Sequence, residues 1–134
     1  MCRKAAETPY GGDIEVWGDG KQTRSFLYID DCVDAVLHFV RQEGFLGPVN
    51  IGSEEMVTIN QLAQIAIDSS SKNINIVNLD GEDFIQKYGF KCPLGVKGRN
   101  SDNKLYREKM GREFDRPLKE GIKLTFDWIN KQLN

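Results

Sequence analysis

Two arginines carry the chemistry that this sequence offers most openly. Arg24 lies in "EVWGDGKQTRSFLYIDD", just past Gly18-Asp19-Gly20 and between a threonine and a serine. A guanidinium presents a planar fork of donors that matches phosphate oxygens, and it stays charged at any working pH. On the residues alone the plainer reading of Arg24 is an exposed strand arginine paired with Asp30 or Glu15. Arg99 lies in "GVKGRNSDN", where two glycines and an arginine precede a helix start. Free N–H groups and the helix dipole both favour an anion there. Ser101 or Asp102 can hydrogen-bond a ribose or hexose hydroxyl from the same loop. The plainer reading is a helix cap in a loop.

Other candidates are weaker. His38, the one histidine, stands beside the apolar stripe of its helix and reads as a flank residue. Cys2, Cys32 and Cys92 have no base nearby in sequence. Trp17 and Trp128 read as core or interface. No G-x-G-x-x-G or G-x-x-G-x-x-G follows a strand, so no dinucleotide fingerprint is present. The residues four past Tyr10, Tyr28, Tyr88 and Tyr106 are Ile14, Cys32, Cys92 and Met110, so a Tyr-x-x-x-Lys acid/base pair is missing too.

The elements that must position these side chains follow from the pattern. "MCRKAAE" holds helix formers with no N-cap before them and reads as the end of a longer helix. Ile14, Val16 and Trp17 predict a strand. Asp19-Gly20 predicts a hairpin turn into a second strand over Phe26, Tyr28 and Ile29. Asp30 or Asp31 caps a helix striped by Val33, Val36, Leu37 and Val40, and Gly44 ends it. "PVNIG" (48–52) reads as a buried strand. Thr58 and Gln61 form a capping box. Ile59, Leu62, Ile65 and Ala66 line the helix behind it, and the serines at 69–71 stop it. "INIVNL" (74–79) alternates like a half-exposed strand. "EDFIQKYG" predicts a short helix closed by Gly89. A turn at Gly98, a cap at Ser101 or Asp102 and Gly111 bound another. Pro117 opens a last helix striped by Leu118, Ile122, Phe126, Ile129 and Leu133. This is an α/β or α+β pattern: a small sheet packed with about four helices in one domain, 1–134.

Composition narrows the class. The chain has 134 residues, 40% hydrophobic and 28% charged, enough for one core without metals or disulfides. A net charge of -2 argues against non-specific nucleic-acid binding. Three widely spaced cysteines with no CxxC argue against a zinc site or a disulfide framework and point to a reducing cytoplasm. No apolar run is long enough to span a membrane.

"WGDGKQTRSFLYIDDCVDAVL", "PVNIGSEEMVTINQLA" and "VKGRNSDNKLYREKMG", in this order, resemble the C-terminal part of the extended short-chain dehydrogenase family, the NAD-dependent sugar-nucleotide epimerases and dehydratases. Within it, "MCRK", "WGDG", "QTRSF" and "GRNSDN" look most like the GDP-mannose epimerase branch. The resemblance implies that Arg24 and Arg99 contact a substrate diphosphate. It implies that Asp102, with Ser101 beside it, holds the nucleotide ribose. It places Arg3 and Lys4 on a helix flanking the nucleotide pocket. Two arginines on one diphosphate is sound chemistry, since each gives charge-assisted bonds. "DGEDFIQKYGFKCPL" is longer than the family usually carries before "GRNSDN". The family's NAD-binding Rossmann domain and its acid/base residues are implied to lie before Met1. The expectation is therefore a substrate-binding lobe, Rossmann domain absent, that binds a GDP-mannose-like nucleotide sugar, binds no cofactor itself and has no epimerase activity alone. A catalytic role would require a separate Rossmann-domain partner. The surface that such a domain would cover predicts a homodimer or larger. The alternative is an interaction domain that self-associates and has lost its ligand.

Overall fold

The computed structural model describes residues 1–133. In chain order its elements are α1 (Cys2–Glu7), β1 (Asp13–Trp17), β2 (Thr23–Ser25), α2 (Ile29–Arg41), β3 (Met56–Thr58) and α3 (Ile59–Ser70). There follow β4 (Asn75–Leu79), α4 (Gly81–Tyr88), β5 (Gly98–Arg99), α5 (Lys104–Met110) and α6 (Leu118–Leu133). The mixed α/β class stands as expected. The helices number six among the described residues rather than about four, because the short α4 and α5 both form around their own caps. Asp80 accepts from the Gly81 N–H, and Gly89 and Gly111 close the two helices in the left-handed conformation.

The sheet is two small sheets. β1 pairs in parallel with β4, Ile14 opposite Ile76 and Val16 opposite Asn78. β2 is the centre of the other, antiparallel to β3 and parallel to β5. The expected hairpin across Asp19-Gly20 is therefore not formed, and the second strand falls at Thr23–Ser25 instead of Phe26–Ile29. The physical reason lies at the turn. Gly18 donates its N–H to the Leu79 carbonyl, which commits the end of β1 to β4. Gly20, at φ +67°, accepts from the Asn60 N–H, so the chain leaves β1 and is tied to the start of α3. A Cβ at Gly20 would fall 2.0 Å from Asn60 Oδ1, so this close approach needs glycine.

The core sits where α1, α3 and α6 cover β1. Ile14 and Val16 supply the buried side of β1. Ala5, Ala63, Ala66, Ile67, Ile74 and Phe126 close around them. α1 is held at its C-terminal end by Lys72, whose Nζ donates to the carbonyls of Ala6 at 2.7 Å and Thr8 at 2.8 Å. The capping box at the start of α3 is present in full: Gln61 N–H donates to Thr58 Oγ1 at 3.1 Å and Thr58 N–H to Gln61 Oε1 at 2.8 Å.

Two expectations fail on burial. "PVNIG" is not a strand; among the described residues no strand runs beside it, so its backbone has no ladder to join. The stripe on α2 is not core. Ala35 alone is buried on this helix, while Ile29, Val33, Val36, Leu37 and Val40 are 62%, 45%, 45%, 42% and 77% exposed. The helix starts after Tyr28 with no side-chain cap, and Asp30 and Asp31 lie inside its first turn. There they favour the positive end of the dipole instead of capping it.

Candidate functional site

The site begins with the β2–β5 ladder. Thr23 is opposite Gly98 and Arg24 is opposite Arg99. Register partners in a parallel pair share a face, so the two arginines stand side by side on neighbouring strands, about 4.8 Å apart in backbone. Like charges in that relation repel unless something negative lies between them. Arg24 Nη1 donates to its neighbour's carbonyl, Thr23 O, at 2.6 Å, and Nη2 to Val96 O at 2.8 Å. Those bonds fix the fork and leave its other N–H groups unused. Arg99 is exposed, and its side chain has no hydrogen bond or ion pair among the described residues. Neither arginine meets a carboxylate there. Glu15, one expected partner of Arg24, instead takes Lys87, Tyr88 and Trp17.

Both arginines line a cleft of about 400 Å³ with Asn50, Gly52, Ser53, Asn100 and Ser101. The wall opposite β2 and β5 is the irregular segment that sequence pattern reads as a strand. It is fastened by side chains. Asn50 Nδ2 donates to the Asp102 carbonyl at 3.1 Å, and Asn100 Nδ2 to the Glu54 carbonyl at 3.4 Å. Gly52 sits so close to Ser101 that a Cβ on it would come 2.8 Å from Ser101 Oγ. Behind the wall, Arg107 Nη1 reaches Glu54 at 2.9 Å and Glu113 at 2.6 Å. Burial raises the Glu113 carboxyl, but Arg107, the Phe114 N–H and Asn103 outweigh it and the net shift is downward.

The predicted site residues separate into three groups. Arg24, Arg99 and Ser101 share the cleft. Asp102 is next to it, exposed, with Oδ1 accepting from the Lys104 N–H at 3.0 Å. Arg3 and Lys4 do not line it: Arg3 Nε pairs with Glu7 at 2.8 Å and Lys4 Nζ donates to the Glu15 carbonyl at 2.7 Å. The helix-terminal anion site in "GRNSDN" is pre-empted. The N–H groups of Ser101, Asn103 and Lys104 already go to Asn100, Glu54 and Asp102 side chains. Sequence reasoning missed Asn50, Asn100 and Asn103. The asparagines inside "VNIG" and "GRNSDN" were the available signal. An asparagine within a short apolar run is a polar group that must find partners.

Elsewhere, Cys2 is buried and burial pushes its thiol up, which opposes a nucleophilic role. His38 is exposed and edge-on to Phe39. Among the described residues no group of histidine, cysteine or acidic side chains has the arrangement of a metal site, and no helix is long and apolar enough to cross a membrane.

The β2–β5 ladder thus sets two arginines that meet no carboxylate among the described residues over a polar cleft. Residues 1–52 match the NAD dependent epimerase/dehydratase family. By this match and those that follow, the chain is homologous over its length to the NAD-dependent epimerases and dehydratases of the extended short-chain dehydrogenase family. Among curated relatives it is 42% identical over 133 residues to GDP-mannose 3,5-epimerase of Arabidopsis thaliana, covering 99% of this chain and 32% of that one. It is 30% identical to GDP-L-fucose synthase 1 of the same plant, covering 99% of this chain and 38% of that one. Among solved structures, UDP-glucose 4-epimerase of Thermotoga maritima with UDP-glucose superposes at TM-score 0.75 and 25% identity, covering 99% of this chain and 38% of that one. UDP-glucuronic acid 4-epimerase of Bacillus cereus superposes at TM-score 0.77 over the whole chain and 39% of its own, at 23% identity, a likeness of fold. The chain spans about a third of the length of the curated relatives it matches.

Proposed function

We propose that this chain supplies the substrate-binding lobe for a nucleotide sugar of the GDP-mannose type, and that Arg24 and Arg99 hold its diphosphate. The observation that carries the reading is the β2–β5 register, which sets Arg24 against Arg99 with no carboxylate between them among the described residues. Two guanidiniums in that relation favour an anion with two negative centres, and each can offer paired charge-assisted hydrogen bonds. Homology to sugar-nucleotide enzymes supports the choice of a diphosphate over other dianions. Ser101 in the cleft and Asp102 at its rim serve the hydroxyl-bearing part of the ligand.

The chemical step belongs elsewhere. Oxidation of the sugar by NAD needs a dinucleotide site, and proton movement needs an acid/base pair. This sequence has no glycine fingerprint and no Tyr-x-x-x-Lys. The chain alone accordingly binds no NAD and turns over no GDP-mannose; catalysis requires a Rossmann-domain partner. Calorimetry of the pure chain with GDP-mannose tests the binding. The expected result is a saturable heat that Arg24→Ala lowers sharply. No heat in the wild type ends the reading, and turnover by the pure chain with NAD ends its catalytic half.

A second reading, a self-associating interaction domain, is favoured by the apolar face that α2 leaves open. The two readings are compatible on one molecule, because Ile29, Val33, Val36, Leu37 and Val40 do not line the arginine cleft.

A further inference from the structure

We propose that Asn103 is a positioning residue that turns the Ser101 hydroxyl into an acceptor, so that Ser101 reads a donating hydroxyl of the ligand and not its phosphates. The proposal rests on the diphosphate reading of the cleft and assigns a distinct role within it. Asn103 is the one buried polar residue among the described residues, fully enclosed at 0% exposure. Its Nδ2 lies 2.5 Å from the Gly52 carbonyl and 3.2 Å from Glu113 Oε1. The first of these can only accept, and Glu113, whose acidity the Arg107 contact strengthens, is a carboxylate that also only accepts. Two acceptors on one side of the amide fix its nitrogen there, which settles the orientation that shape alone leaves open.

The oxygen of Asn103 therefore faces Ser101 Oγ, at 2.6 Å. An amide oxygen cannot donate, so Ser101 must give it the one proton its hydroxyl has. What Ser101 offers the cleft is a lone pair. A diphosphate ester at neutral pH brings only acceptors to that point, and two acceptors face to face are unfavourable. A sugar hydroxyl brings a proton. The cleft is thus divided by polarity: Arg24 and Arg99 for the charged bridge, Ser101 for a polyol attached to it. Gly52 closes the arrangement, since its carbonyl anchors the amide and its missing Cβ leaves room for Ser101.

Two probes separate the halves of the cleft: inorganic pyrophosphate, which has no hydroxyl to donate, and GDP-mannose. Ser101→Ala is expected to lower GDP-mannose affinity about tenfold and to leave pyrophosphate affinity within about twofold. Asn103→Ala reproduces that pattern if Asn103 acts through Ser101. A general loosening would weaken both probes alike and overturn the positioning role. Equal loss of both probes in Ser101→Ala would overturn the acceptor assignment. Hydrogen exchange on the nitrogen-labelled wild-type chain decides independently of ligand and of variant folding. The Asn103 side-chain amide protons should exchange far more slowly than those of exposed asparagines, and bulk-rate exchange overturns the proposal. Binding of neither probe by the wild type overturns the diphosphate reading and the ligand half of this one, while the exchange measurement still decides whether Asn103 holds Ser101.

Discussion

Arg24 and Arg99 show how much a side chain's meaning depends on its neighbour. Arg24 was visible in the sequence as a guanidinium just past a glycine turn, and Arg99 as one beside a glycine ahead of a helix start. Their pairing was not, because it is set by the parallel register of β2 and β5, whose register partners lie 75 residues apart in sequence with no shared local signal. Asn103 was less legible still. Its importance comes from complete burial and from partners at Gly52, Ser101 and Glu113, which no spacing rule connects. Glu15 carries a prediction at this scale. The Lys87 ammonium and then the Tyr88 hydroxyl hold its carboxyl down to about 2, from an ordinary 4.5. A carboxyl whose folded pKa is depressed contributes stability above its unfolded pKa and loses it as pH falls through the folded one. The Glu15 contribution is therefore present above about pH 4.5 and disappears between there and about pH 2. Glu15→Gln should flatten the acid limb of a urea-unfolding pH series over that window, and an unchanged limb would show that the contact contributes nothing. Gly20→Ala places a Cβ against Asn60 at a positive φ. It should cost about 1–3 kcal/mol, read as a lower midpoint in thermal unfolding; no change in the midpoint would mean that Asn60 simply moves aside.

At the scale of elements, local signals held wherever the determinant was local. The capping box at Thr58 places α3 to the residue, and glycines at 89 and 111 close α4 and α5 where their positive φ is needed. Removing the cap with Thr58→Ala should cost about 1 kcal/mol in denaturant unfolding. A loss below about 0.3 kcal/mol would show that the bond from the Ile59 N–H to the Gln22 carbonyl holds the β3–α3 junction without it. Pattern failed where the determinant was a partner. Asp19-Gly20 has the chemistry of a hairpin turn, yet β1 prefers β4, with which it buries Ile14 and Val16 under α1, α3 and α6. "PVNIG" has the apolar content of a buried strand but no strand to lie beside, so it becomes the side-chain-fastened wall of the cleft. α2 has a correct helical stripe whose apolar side has no cover among the described residues. Periodicity reports which face of a helix is apolar. It does not report whether anything covers that face.

At the scale of the whole molecule, the face of α2 and the "PVNIG" segment are alike: among the described residues no element covers the apolar side of the first and no strand pairs with the second. The homologous proteins are about three times as long. An exposed stripe of Ile29, Val33, Val36, Leu37 and Val40 favours association. Light scattering of the pure chain at high concentration should show a dimer or larger, and a Val36→Lys, Val40→Lys double variant should shift it toward monomer. A clean monomer in the wild type would count against self-association. The α/β class and the family were both legible, because "QTRSF", "VNIG" and "GRNSDN" follow one another in family order. The central claim concerns what the arginine pair holds, and the most direct test is a calorimetric comparison of GDP with guanosine on the pure chain and on Arg99→Ala. Two guanidiniums on one diphosphate predict that GDP binds at least tenfold more tightly than guanosine and that Arg99→Ala removes roughly ten- to hundredfold of that affinity. Guanosine binding as tightly as GDP, or Arg99→Ala binding GDP unchanged, would contradict it.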